Sequence, residues 1–369
     1  MSPLTKPPRI SRAGIAEPAP ASARLHTTAR LSRRLCQLLT LLLLGPTLPA
    51  QPSDPYAATQ STATQSAATQ GTAAQNTSAP HPDDLLQHAK ALIQLNTLAD
   101  VTAADPLLRR YIAQHPASAE ALFLLGYVLQ RENKPRDSLT VYTQAASIAP
   151  PQSDDLRIVA LDYVLLNDYV DAIHWLQRSL AANPGNAAAW YDLGRAQMNQ
   201  GNFVDAERDF RKTLALSPGD PKAFDNLGLS LEAQNRTEEA LSAYTQAMEA
   251  QRSKPHPTEQ PLLNLGTLLN TKNRSAEAIA PLQQAIALTP LSPRCHEELA
   301  RAYLATHQEA TGTREMEQAV ALDPRNPRLH YQLGQIYRHA GMSARAEAEL
   351  KTSSELYGSR STPIDQEIE

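Results

Sequence analysis

The chain has 369 residues, a formal net charge of −4 and 5% aromatic residues. That length allows two or three ordinary domains or one elongated repeat array, and near-neutral charge gives neither the basic field of a nucleic-acid binder nor an acidic tail. Sparse aromatics with abundant Ala and Leu favour helices over sheets, and the two distant cysteines, Cys36 and Cys295, point to neither a disulfide framework nor a metal cluster.

Residues 1–50 carry Arg24, Arg30, Arg33 and Arg34 with no acid after Glu17. An apolar run, LCQLLTLLLL, follows; Gly45 and Pro46 break it, and Ala50 ends the segment on a small residue. This is the order of a secretory signal peptide cleaved near Ala50, which directs the chain to the periplasm or beyond. The run is shorter than the roughly 20 residues of a permanent span; the alternative is an uncleaved signal anchor in the inner membrane. Ser32-Arg33-Arg34 is similar to a twin-arginine signal, but Leu35-Cys36-Gln37 fits it poorly, so general secretion is the better reading. Cys36 precedes the apolar core and is not placed like a lipoprotein acceptor.

Residues 51–82 repeat Ala-Thr-Gln units with almost no large apolar side chains. Such a stretch buries too little surface to offset its ordering entropy and reads as a disordered linker. Asn76-Thr77-Ser78 fits an N-glycosylation acceptor, in a bacterial protein a chance match. His81, Asp83, Asp84 and His88 form a weak metal-binding set; a first helix capped by Asp83 or Asp84 explains them better.

From there a period governs the chain. Pro116, Pro150, Pro184 and Pro218 are each 34 residues apart, and Pro290 and Pro324 resume the spacing. Leu-Gly pairs keep the same beat at Gly126, Gly194, Gly228, Gly266 and Gly334, with Ala160 and Ala300 where the glycine is missing. Ala172, Ala206, Ala240, Ala278 and Ala346 each follow the small residue of their unit by 12 positions.

These three classes in phase resemble the tetratricopeptide repeat. Residues 187–220 carry its pattern in Trp190, Leu193, Gly194, Ala206, Phe210 and Pro218, and residues 221–254 in Phe224, Leu227, Gly228, Ala240, Tyr244 and Ala247. Residues 119–254 divide into four repeats and 259–360 into three, separated by an insertion at 255–258; residues 83–118 form a degenerate first repeat and 361–369 a polar tail. The expected fold is all-α: an α-solenoid of stacked antiparallel helix pairs, each helpless to bury its apolar face alone. In the third of these units the helices should run from Ala187 to Asn199 and from Val204 to Leu216. Gly194 and Ala206 should let them approach, Trp190 and Phe210 fill the gap towards the neighbouring unit, and Pro218 end the second helix. Ala160 in place of glycine should hold the second unit's helices slightly further apart, and the insertion could break the superhelix or bulge as a loop.

The resemblance implies that the first helix of each pair lines a concave groove for extended or helical peptides. The expected groove residues are Phe123, Tyr127, Tyr191, Asp192, Arg195, Asp225, Asn226, Asn264, Glu298, Arg301, Arg328, Tyr331, Gln332 and Arg338. Asp192, Asn226, Asn264, Glu298 and Gln332 hold the sixth place of five successive units, a ladder suited to bonding a peptide backbone; the plain alternative is a solvated helix face. Arginines outnumber acids among these residues, a mild preference for acidic partners. The two-carboxylate clamp of chaperone-binding relatives is not supported, since only Lys222 and Asn226 match it.

Catalytic signals are weak. His296-Glu297-Glu298-Leu299-Ala300 begins like a zinc-protease motif but lacks the second histidine. No phosphate-cradling glycine loop or nucleophile elbow occurs. The expectation is a non-catalytic, exported adaptor with no cofactor, binding other proteins and not nucleic acid. The rival readings are a scaffold that associates with further copies of itself and a regulatory arm of a separately encoded enzyme.

Overall fold

The computed structural model describes residues 82–360, apart from Ser253. The signal peptide, the linker with Asn76 and His81, Cys36 and the tail at 361–369 therefore lie outside the described residues.

Sixteen helices follow in pairs: α1 (Pro82–Leu95) with α2 (Leu98–Gln114), α3 (Ala119–Arg131) with α4 (Pro135–Ala146), α5 (Ser153–Leu165) with α6 (Tyr169–Ala182), and α7 (Ala187–Asn199) with α8 (Phe203–Leu216). The series continues with α9 (Pro221–Ala233) and α10 (Thr237–Gln251), α11 (Gln260–Thr271) and α12 (Ser275–Leu288), α13 (Pro293–Ala305) and α14 (Glu309–Leu322), and α15 (Pro327–His339) and α16 (Ser343–Arg360). There is no strand among the described residues. Each helix packs on its partner and on the next in sequence, which is the α-solenoid the period implies.

Local chemistry sets the boundaries. Ser118, Asn186, Asp220, Ser292 and Asn326 stand at N-caps of first helices, and their side chains accept first-turn backbone N–H groups. The turn inside each pair passes through the left-handed region at Asn96, Asn133, Asn167, Gly201, Asn235, Asn273, His307 and Gly341. Asn and Gly tolerate that conformation best, so this short turn is written into the repeat.

The glycines have a specific task. A Cβ at Gly194 would stand 2.7 Å from Phe210, and one at Gly228 would stand 2.5 Å from Tyr244. Each ring lies over the glycine of its own unit, so Phe210 fills the space within its pair and not the gap towards the neighbour. Trp190 packs against a cluster that joins Ala160, Leu176 and Leu180 of the preceding unit to Ala189, Leu193 and Ala196 of its own, while its indole N–H donates to the Pro184 carbonyl at 2.9 Å. His296 and His330 repeat that tie, with Nε2 3.0 Å from the carbonyls of Pro290 and Pro324, and Nδ1 2.7 and 2.6 Å from Glu315 and Glu349.

The insertion bulges as a loop. The Gln251 side-chain amide donates to the Thr258 carbonyl at 2.8 Å, and its oxygen accepts the Thr258 N–H at 3.0 Å. This clasp closes the loop at its base, and α10 and α11 still pack together across it.

Candidate functional site

First helices of neighbouring pairs touch along the row (α3 on α5, α5 on α7, α7 on α9, α9 on α11, α11 on α13), whereas second helices make at most marginal contact with each other. The first helices therefore form the inner, concave layer, and their exposed side chains line one surface.

On that surface the expected residues divide into two groups. The sixth-place ladder is turned inwards and spent on the preceding unit. Asp192 accepts from Arg157 at 2.7 Å, Asn226 donates to the Tyr191 hydroxyl at 3.1 Å, and Asn264 donates to Asp225 at 2.9 Å. Glu298 accepts from Asn270 at 3.2 Å and Gln332 donates to Glu297 at 3.1 Å. The ladder is neither a free row of amides nor a merely solvated face: it clasps one repeat to the next. Asp192, Asp225, Asn264 and Glu298 are accordingly buried. Burial pushes the Asp225 carboxyl up to about 6, and it raises Asp192 despite the facing Arg157 guanidinium.

The second group stays accessible. Tyr331 is 51% exposed, Arg338, Arg301 and Arg328 are exposed, and Phe123, Tyr127, Tyr191 and Arg195 are half-buried. Arg131 lies 5.9 Å over the Tyr127 ring and Arg195 lies 5.8 Å over Tyr191, cation–π pairs that present a flat, charged edge. Burial pushes the Tyr191 hydroxyl up to about 12, so it is a neutral donor.

Two of the four groove arginines are held by acids, while Arg195 and Arg338 have no ion-pair partner among the described residues. Arg328 grips Glu297 with both guanidinium nitrogens at 2.5 and 2.6 Å, and Arg301 pairs with Glu298 at 3.2 Å. Glu297 is a residue the sequence reading did not single out, although it lies beside Glu298 on the same helix. Arg157 was missed likewise. Two further cations, Lys222 and Lys254, lie beside the insertion.

Family models match three stretches. The middle TPR-like domain of cilia and flagella-associated protein 70 covers residues 156–289, and tetratricopeptide-repeat models cover 89–153 and 315–348. The chain carries tetratricopeptide repeats. A solved tetratricopeptide repeat protein from Parabacteroides merdae is 17% identical, with a TM-score of 0.50, over 74% of this chain and 98% of that one. MamA from Desulfovibrio magneticus RS-1 is 20% identical with a TM-score of 0.44, over 48% of this chain and 97% of its own. The pilF protein of Pseudomonas aeruginosa is 19% identical with a TM-score of 0.49, over 58% and 95%. These likenesses concern the fold alone. No curated protein sequence matches. None of the matched models describes an enzyme, and no helix among the described residues is long and apolar enough to cross a membrane.

Proposed function

We propose that this chain is a non-catalytic adaptor of the cell envelope that holds partner proteins along its row of first helices during envelope assembly, secretion or polymer export. Tetratricopeptide repeats bind peptides or proteins, and the observation that carries the reading here is the accessible set of Tyr and Arg side chains on the concave layer. Tyr331, Arg338 and the Arg195–Tyr191 pair all stand on first helices, and Tyr and Arg are the residue types that most often anchor interfaces. The export half of the reading rests on the order of basic region, apolar core and small residue in residues 1–50.

The test is a crosslinking pull-down from the native envelope, comparing wild type with a variant carrying Arg195→Ala, Tyr331→Ala and Arg338→Ala. These side chains are accessible, so the variant should fold, unlike one altered at the buried Asn264. A partner captured by wild type and lost by the folded variant supports the groove. Unchanged capture, or recovery of the chain alone, sinks it in favour of another face or self-assembly.

A further inference from the structure

The four-residue insertion does more than lengthen a loop. It walls a pocket of about 390 Å³ in the concave layer, where the starts of α9 and α11 meet. Tyr191 and Asn226 lie on the preceding first helices, Lys222 stands in the first turn of α9, and Lys254 and His256 come from the insertion side. The Gln251–Thr258 clasp fixes that wall.

Lys222 and Lys254 are exposed, and neither has an ion-pair partner among the described residues, whereas Arg157, Arg301 and Arg328 on first helices are each held by an acid. Two acids also line the pocket. Asp225 is buried and accepts from Asn264, and Glu259 accepts from the Thr289 hydroxyl at 3.1 Å, so neither meets the lysines. The Tyr191 hydroxyl accepts from Asn226 and keeps its own hydrogen to donate. No side chain caps the start of α11, whose first-turn residues also line the pocket, and the positive end of a helix favours an anion. The donors are compact ammonium groups and a hydroxyl, suited to one small anionic group and lacking the fork that reads a planar pair.

We infer that the insertion-walled pocket receives an aspartate or glutamate side chain from within an extended partner segment, held by Lys222, Lys254 and the Tyr191 hydroxyl. This rests on the groove reading and adds a place and a charge to it. The acid is an internal side chain and not a chain terminus, because the row of first helices continues on both sides of the pocket, with α7 before α9 and α13 after α11.

The probe is a random twelve-residue peptide library, displayed without free C-termini and panned on the full chain. Wild type should select peptides rich in one recurring Asp or Glu. An amidated copy of such a peptide should bind about tenfold weaker to Lys222→Ala/Lys254→Ala, a loss on the scale of one strong polar contact. A control of equal charge, Lys212→Ala/Lys351→Ala, alters exposed lysines outside the pocket and should keep full affinity. Selected peptides with no recurring acid, an affinity unchanged in the pocket variant, or an equal loss in the control each overturn the inference and leave the groove to its own pull-down. If no peptide is selected, the acid pocket is refuted, while the pull-down still decides whether the groove holds folded partners.

Discussion

The Ser138 hydroxyl lies 2.9 Å from the Gly126 carbonyl oxygen and 2.6 Å from Oδ2 of Asp162, yet it carries one hydrogen. Both contacts are satisfied when Asp162 keeps its proton: the acid donates to Ser138, and Ser138 donates to Gly126. Burial pushes Asp162 up to about 7 in agreement with this, against roughly 3.9 in an unfolded chain. The folded state thus holds a proton that the unfolded state releases, so this group's stabilising contribution is full below about 4 and is lost as pH rises through about 7. Asp162→Asn should unfold at higher urea than wild type at pH 8 and close to wild type at pH 4; equal midpoints at pH 8 would show that the carboxylate costs nothing there. Packing gives a second outcome at this scale. Gly228→Ala places a methyl 2.5 Å from Tyr244 and should lose roughly 1–3 kcal/mol of stability, the usual cost of overpacking. Gly358, with nothing within reach of a Cβ, is the control for the same substitution.

At the scale of the helix pair, much was legible. The Leu-Gly, Ala and Pro beats placed the α7–α8 pair at Ala187–Asn199 and Val204–Leu216, and the observed helices are Ala187–Asn199 and Phe203–Leu216. The left-handed turn was equally periodic, with Asn133, Asn167 and Gly201 one unit apart, but Asn and Gly alternate there, so a search for one recurring residue passes over it. His307 is the departure, holding φ of 58° with a Cβ that glycine lacks. His307→Gly should therefore stabilise the chain by about 0.5–1 kcal/mol, part of the left-handed penalty being offset by the entropy of glycine in the unfolded chain. Thermal or urea unfolding measures it; a loss of stability would mean that the imidazole makes a contact worth more than the strain. The direction of the ladder side chains was not legible, because a polar residue on a first helix reads the same whether it faces solvent or the preceding unit. Only the Arg157–Asp192 and Asn264–Asp225 geometry separates the two.

Across the row of first helices, polar clasps tie repeat to repeat, Tyr191 and Arg328 among them, while Tyr331 and Arg338 stay exposed outside those clasps. The solenoid followed from the resemblance that the regularly spaced Gly, Ala and Pro residues carry, which a count along the chain suffices to find. The charge balance of the groove depended on which acid each arginine meets, Glu297 above all, and that is a matter of three-dimensional pairing. The insertion was visible as an irregularity of four residues, but its clasp by Gln251 was not, because Gln251 lies before it in an ordinary helical stretch. The measurement that bears most directly on the claim that partners lie along the first helices is site-specific photo-crosslinking in the producing cell. A photoreactive phenylalanine would replace Tyr331 on α15 in one variant and Val204 on α8 in another; both sites are exposed, at 51% and 69%. Adducts to another protein at position 331 and none at 204 are the expected result, and adducts at 204 with none at 331 would contradict it.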